Sequence, residues 1–474
     1  MLHRAGIEYS VGWNGTTGGR PCGNPPGTPL RGDTTKALAC GHDAPAYGLP
    51  VCEHIRTATD EVDFSIHYTG HGLEHQRICA LCREEAQHGR PVTTGRICED
   101  CSDTSYGSVV DSVGRPETID ASRPVPGAGP QVPFPADTGT VLDLAPTERG
   151  LLLLAADGRI LLWDAEAGSC THLATTGVSV PADAEPWNGH DKALRLHASR
   201  NGRFAAVAVD FGRTGEVIGL TTGAVTAVLE NDGYHSETVP CSLLFTEHAG
   251  RDAVLHRTRW NRIAGTDPAT GEPVLLMPES EKEAAWAHSF HGALHLSPGG
   301  TRLASDTWLW HPLGQPVTWD LARWFADGES AWHGEQPAVE FRRLPPCEYH
   351  WNRPMVWLDE ARIVLGGLGD DDEAVVPGAR VFDVTRMVDL GVHGSGPDET
   401  ATFGGPEGRF FAADGLLYSA GGPGLEIWDP TSGARIGSVP GFHPTHHDTV
   451  RRELVQLTAD GVRRRPTTES LPTG

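Results

Sequence analysis

The segment Gly158-Arg-Ile-Leu-Leu-Trp-Asp-Ala-Glu-Ala-Gly168 decides the fold. An apolar run closes on an aromatic residue and Asp164, and Gly168 follows where a tight turn favours a residue without a Cβ. This is the pattern of the third strand of a β-propeller blade and the turn that leaves it. Degraded copies follow at Ile218-Gly219-Leu-Thr-Thr-Gly223, Thr266-Asp267-Pro-Ala-Thr-Gly271, Trp319-Asp320, Phe382-Asp383 and Trp428-Asp429-Pro-Thr-Ser-Gly433. Successive copies lie about 46 to 63 residues apart, close to the length of a four-stranded blade.

Around each copy the chain supplies the rest of a blade. β-Rich runs such as Ala205-Ala-Val-Ala-Val209, Asp252-Ala-Val-Leu-His256 and Ala361-Arg-Ile-Val-Leu365 precede it, and short polar turns such as Ser199-Arg-Asn-Gly-Arg203 and Ser297-Pro-Gly-Gly-Thr301 precede those runs. Gly and Pro interrupt every candidate helix, which excludes a helical repeat. Six blades fit between about 139 and 441, and Arg452-Glu-Leu-Val-Gln-Leu-Thr-Ala-Asp-Gly-Val-Arg463 holds two further strands. Half a blade would leave exposed sheet edges. The strand-like pieces within 107–122 are therefore expected to complete a seventh blade from both chain ends. A six-bladed ring with a C-terminal tail is the other reading.

Composition agrees with this architecture. The chain has 474 residues, too many for one ordinary core, and its 58 Gly and 36 Pro suit a turn-rich all-β array with one small appendage. No apolar run approaches a spanning helix, and the N-terminal residues lack the apolar stretch of a secretory signal, so a cytoplasmic, monomeric protein with no membrane role is expected. The net charge of −24 argues against nucleic acid as a partner, because phosphate contacts need clustered cations and Lys36, Lys192 and Lys282 are the only lysines. A basic or metal-bearing partner fits better.

Seven of the 10 cysteines fall within the first 101 residues, a crowding that points to metal in a reducing compartment. The candidate ligands come in pairs: Cys40 with His42, Cys52 with His54, Cys79 with Cys82, and Cys98 with Cys101. Four pairs make up to two tetrahedral sites. The last two pairs have the spacing of a zinc ribbon. In the competing arrangement Cys52 and His54 join Cys79 and Cys82, leaving Cys40 and His42 to Cys98 and Cys101. A cross-braced module would instead link the first pair with the third and the second with the fourth. Spacing does not choose among them. The two residues of each Cys-x-His pair would share one face of an extended strand. Four protein ligands per ion leave no open position, so one or two structural zinc ions are expected.

The organisation read from the sequence is thus a loosely ordered leader over 1–36, a zinc-binding module over 37–106, a linker with propeller-closing strands over 107–138, and the propeller over 139–474. A histidine precedes the first strand of nearly every blade: His190, His235, His291, His350, His393 and His446 or His447. They could ring the axial opening and hold a metal, an anionic ligand or a partner, or each could hydrogen-bond within its own blade. Asp370-Asp-Asp-Glu373 lacks the spacing of a calcium loop and reads as solvated. No nucleophile elbow, phosphate loop, His-Glu-x-x-His or dinucleotide motif stands in a supporting context, so no catalytic residue is assigned. A non-enzymatic interaction scaffold is the expected function, with an enzyme or metal-dependent ligand binder using the histidine face as the alternative.

Residues 139–466 resemble the WD-repeat and quinoprotein-dehydrogenase-like propeller superfamily, in particular a bacterial branch of it. The resemblance rests on Trp260-Asn-Arg-Ile-Ala-Gly-Thr-Asp-Pro-Ala-Thr-Gly271, His291-Gly-Ala-Leu-His-Leu-Ser-Pro-Gly-Gly300, Trp308-Leu-Trp-His-Pro-Leu-Gly314, Gly366-Gly-Leu-Gly-Asp-Asp-Asp-Glu373 and Pro440-Gly-Phe-His-Pro-Thr445. Blades 2 and 3 lack the Trp of the Trp-Asp pair, and only Gly189-His190 shows a clear Gly-His dipeptide. The resemblance implies the fold. It assigns no activity.

Overall fold

The computed structural model describes residues 49–54, 65–68, 75–79, 81–82, 93–97, 118–181, 190–278, 289–309, 313–333, 338–369, 375–389 and 395–467. They belong to two compact units, a small N-terminal sheet and a β-propeller. Every aromatic-Asp segment or its degraded copy forms the third strand of an antiparallel blade.

Blade 1 is β7 (Val141–Thr147), β8 (Gly150–Ala155), β9 (Arg159–Asp164) and β10 (Ser169–Thr175). Blade 2 is β11 (Ala193–Ala198), β12 (Phe204–Asp210), β13 (Thr214–Gly219) and β14 (Ala224–Glu230). Blade 3 comprises β15 (Leu243–His248), β16 (Arg251–Arg259), β17 (Arg262–Thr266) and β18 (Pro273–Leu276). Blade 5 comprises β25 (Met355–Trp357), β26 (Arg362–Leu368), β27 (Val376–Asp389) and β28 (Ser395–Gly404).

Blade 4 departs from the pattern. Its strands β19 (Ser289–Leu296), β20 (Arg302–Leu309), β22 (Val317–Asp320) and β23 (Arg342–Arg343) are joined by two short extra strands, β21 (Leu313–Gly314) and β24 (Cys347–Glu348). A helix, α1 (Leu321–Asp327), intervenes between the third and fourth strands. The Asp that closes the third strand in several blades explains the difference. Asp164, Asp267 and Asp429 accept backbone N–H groups two residues on and so close a turn. Asp320 accepts Arg323 N–H at 2.8 Å and instead caps α1. Trp319, Trp324 and Trp332 are fully buried and pack edge to face beneath it, so most of the blade 4 tryptophans serve packing.

The last two blades use the N-terminal side of the propeller unit. Blade 6, β29 (Arg409–Ala413), β30 (Leu416–Gly421), β31 (Gly424–Asp429) and β32 (Ala434–Pro440), gains β5 (Ile119–Asp120) as a parallel fifth strand. Blade 7, β33 (His446–Asp448), β34 (Glu453–Thr458) and β35 (Gly461–Pro466), is completed by β6 (Val132–Pro133) pairing antiparallel to β35. Seven blades result. The closing strand therefore lies beyond the 107–122 stretch expected from the sequence: residues 119–120 pair with blade 6, and 107–117 fall outside the described residues. The reason is local. Gly129 and Phe134 donate backbone hydrogen bonds to Arg464 and Asp460, which fixes the register of 129–134 against β35.

Apolar side chains lie on both faces of the middle strands, and β8 and β12 are buried throughout or nearly so. Each face packs on a neighbouring blade. Leu152, Ile160 and Ala174 meet Leu196, Val207 and Ile218 between blades 1 and 2, and equivalent clusters link every successive pair up to blades 6 and 7. The ring closes where Val141, Leu153 and Trp163 of blade 1 meet Val455 and Val462 of blade 7. Phe134, just past β6, caps that junction with its ring 5.0 Å from Trp163 in an edge arrangement. Turn glycines match the expectation: Gly271 has φ 76°, and a Cβ there would come within 2.9 Å of the Thr226 carbonyl of the preceding blade. No helix among the described residues is long and apolar enough to cross a membrane.

Because Phe134 anchors the closing strand across the junction, Phe134→Ala should lower stability by roughly 2 kcal/mol, below the cost for a fully buried ring. Ile119→Ala, on the exposed β5, should change it little. Denaturant unfolding of both variants checks this, and equal effects would contradict closure through β6.

Candidate metal centre and axial face

The N-terminal unit is a four-stranded sheet of β1 (Leu49–Cys52), β2 (Ser65–Tyr68), β3 (His75–Ile78) and β4 (Thr94–Ile97), in the order β2-β3-β1-β4. β1 runs parallel to β3 and antiparallel to β4. The parallel pairing brings the ends of β1 and β3 to the same side, and both ends carry cysteines. β1 ends at Cys52, and the chain turns helically through Glu53 and His54. Cys79 follows β3 directly, and Cys82 lies in another helical turn. His54 is thus brought to Cys52 by a helical turn and not by the extended strand expected.

The ligand atoms of Cys52, His54, Cys79 and Cys82 all lie within 4.8 Å of one another. His54 Nδ1 is 3.2 Å from Cys82 Sγ and 3.6 Å from Cys79 Sγ. Tetrahedral ligation with Zn–S near 2.3 Å would separate ligand atoms by about 3.6 Å, so the donor set fits such an ion. Cys79 N–H points at Cys52 Sγ, 3.4 Å away, as a donor would toward a thiolate. Burial pushes the Cys82 thiol up to about 12, reinforced by Cys52 and Cys79 beside it. Three mutually repelling sulfurs in a largely buried cluster want a cation among them, and binding one would release their protons.

This arrangement joins the second ligand pair to the third. It is the competing arrangement of the sequence reading, and it differs from both the ribbon pairing of Cys79 and Cys82 with Cys98 and Cys101 and the cross-braced pairing. Cys40, His42, Cys98 and Cys101 lie outside the described residues.

On the propeller, each described histidine has its own set of neighbours. His190 stacks on Phe211 with ring centroids 4.6 Å apart. His235 places Nδ1 3.3 Å from Glu237 Oε1. His291 is fully buried, with Nδ1 3.1 Å from Ser305 Oγ. Burial pushes its pKa down to about 3, and that of His350 to about 4. His446 reaches into the next blade, with Nε2 2.9 Å from Asp143 Oδ1. His393 lies outside the described residues, and in sequence it falls between β27 and β28, not ahead of a first strand; Asp370–Glu373 lies outside them too.

The sequence reading missed the acidic residues that tie inner strands together. Asp143 accepts Leu196 N–H at 2.9 Å, Asp210 accepts Cys241 N–H at 3.1 Å, and Asp306 accepts Arg353 N–H at 3.1 Å, each from the following blade. Their signal was a lone Asp within or closing an apolar run, as in Val141-Leu-Asp-Leu-Ala145. Burial alone would raise the Asp143 pKa, but His446 and Leu196 N–H outweigh it and hold the carboxyl below its ordinary range. At Asp306 burial wins against Arg353, and the carboxyl rises to about 6.

Burial also pushes His256 and His295 down to about 4. These histidines stay neutral when folded and take up protons when unfolded, starting near their ordinary pKa of about 6.5. Their contribution is therefore whole above that value and is lost as pH falls toward 4, by at most about 1.4 kcal/mol per histidine per pH unit. Denaturant unfolding at about pH 7 and about pH 5 should show the loss, and a flat profile would contradict it. No protein-family model and no curated protein sequence matches the chain, so its description as a seven-bladed propeller with a Cys/His cluster stands on strand topology and side-chain geometry.

Proposed function

We propose that this chain is a non-enzymatic interaction scaffold, a WD-like propeller that docks protein partners and carries structural zinc in its N-terminal module. The observation that carries the reading is the closed donor set. Cys52, His54, Cys79 and Cys82 supply four ligands, as many as a tetrahedral ion takes, and leave no position for water or substrate. Soft thiolates with one imidazole favour zinc over the hard cations. Cys40, His42, Cys98 and Cys101 supply a second set of the same kind, enough for a second ion. With a net charge of −24, the surface suits basic proteins better than nucleic acid.

Metal content per chain, measured by mass spectrometry, should show zinc in the purified protein and about one ion fewer in Cys79→Ser/Cys82→Ser. Unchanged metal in the variant would sink the assignment. The scaffold role is tested by affinity capture with the full chain followed by cross-linking. A basic protein should be enriched and cross-link to propeller residues, with enrichment falling as salt rises. Capture that yields no protein cross-linked to the propeller would count against it.

A further inference from the structure

Four segments of the propeller bring aromatic side chains together at blades 3 and 4. They are the connection from blade 2 to blade 3 (231–242), the β16–β17 turn, the paired start of β19 and end of β20, and the connection into blade 5 (349–354). Phe290 and Trp308 are cross-strand partners, buried and stacked with ring centroids 4.0 Å apart, and Val239 packs on them. Trp260 leans on Phe290 at 4.4 Å, Tyr234 lies against Phe290 at 5.7 Å, and Trp351 stacks on Trp308 at 5.6 Å. Phe290 and Trp308 form a floor, Trp260 and Trp351 are half-buried, and Tyr234 is 47% exposed.

The backbone fixes this platform. Asp232 accepts the Tyr234 N–H at 3.3 Å and the Trp260 N–H at 3.2 and 3.3 Å, which joins the first connection to the β16–β17 turn. Trp351 Nε1 donates to the Thr238 carbonyl at 3.1 Å and joins it to the connection into blade 5. His235, beside Tyr234, has φ 49°, a conformation costly for a residue with a Cβ, and its carbonyl is held by the Thr238 N–H and hydroxyl. Tyr234 is thus kept at the surface by a rigid support. Exposed Tyr and Trp on such a support are the residue types that anchor interfaces.

The platform is also acidic. Asp232 is exposed, and Glu237, with its side chain 37% exposed, spends Oε1 on His235 Nδ1 at 3.3 Å. Neither has a lysine or arginine in ion-pair range among the described residues. Arg257 is buried nearby in the field of both carboxylates, but it pairs with neither and donates to the His291 carbonyl at 2.8 Å. Two carboxylates against one guanidinium leave the site net negative. π faces beside carboxylates without a cationic partner suit a planar cation, which stacks on the rings and donates to the oxygens at once.

We propose that Tyr234 and Trp260, with Asp232 and Glu237 flanking them, form the docking surface for an arginine side chain of a basic protein segment. The proposal rests on the scaffold reading and gives its basic partner a place on the propeller.

The test is isothermal titration of the full chain with a capped Gly-Arg-Gly-Arg-Gly peptide, and with its citrulline counterpart, which keeps the shape of arginine and loses the charge. The arginine peptide should bind saturably and the citrulline peptide at least about tenfold more weakly. Tyr234→Ala and Glu237→Gln should each weaken binding by about three- to tenfold, whereas Tyr234→Phe, which keeps the ring, should not. Glu166→Gln, which removes an exposed carboxylate from the blade 1 turn, should leave binding unchanged and so separates the site from general attraction to an acidic protein. Unfolding midpoints of the variants confirm that they fold. No saturable binding of the arginine peptide up to about 1 mM overturns the proposal. Equal binding of the citrulline peptide, or binding that Tyr234→Ala and Glu237→Gln both retain, overturns it too. If affinity capture still enriches a basic protein on the Tyr234→Ala chain, the scaffold reading stands and this surface falls; peptide binding without any captured protein does the reverse.

Discussion

Burial of both faces of every blade is the constraint on which the rest depends. A half-buried sheet tolerates water on one side, but strands such as β8 and β12 carry apolar side chains on both, and each face finds its cover only in a neighbouring blade. No blade is therefore complete alone. The requirement passes around the ring until blade 7 must meet blade 1. There the fourth strand comes from the other side of the sequence: Val132–Pro133 pairs with β35 and completes blade 7. The junction is covered by Phe134 against Trp163.

Packing sets the distance between blades, and buried aspartates then fix their relative height. Asp143 touches three blades at once, accepting from Leu196 of blade 2 and His446 of blade 7 while standing in blade 1. A carboxylate in this position is costly unless every lone pair is used, so it is strict about geometry where apolar contacts are tolerant. The same strictness has a consequence for charge. Asp210 divides its oxygens between the Cys241 N–H and the Arg195 guanidinium, and Asp143 divides its own between the Leu196 N–H and His446, so both charges are met within the ring.

Much of this was legible in the sequence because the third strand carries several independent signals. The apolar run, the aromatic residue, the Asp that closes the turn and the Gly at positive φ all coincide in Gly158–Gly168, and each has a separate physical reason. The ring was readable from that unit alone. The closing strand was not, because two residues, Val132 and Pro133, hold too little pattern to announce a strand, and their place is set by backbone bonds from Gly129 and Phe134. The metal site was legible as residue types but not as a partition. Spacing within Cys79-Ala-Leu-Cys82 fixes a local turn, whereas the choice of Cys52 and His54 as partners follows from the parallel pairing of β1 with β3, a contact between distant segments.

The inner aspartates were missed for a related reason. A single polar residue in an apolar strand reads as noise when strands are treated one at a time, and its partner is a backbone N–H that no sequence pattern marks. Histidines drew attention instead because imidazole is chemically versatile, yet His291 and His350 are buried enough to be held neutral, and His190 is spent on a ring stack. His446 is tied into the ring itself, as the link between Thr445 and Asp143. Its neighbours decide its role more than its identity does. Sequence reasoning identifies residues able to do chemistry; which of them keep that capacity depends on which ones the fold has already used to hold itself together.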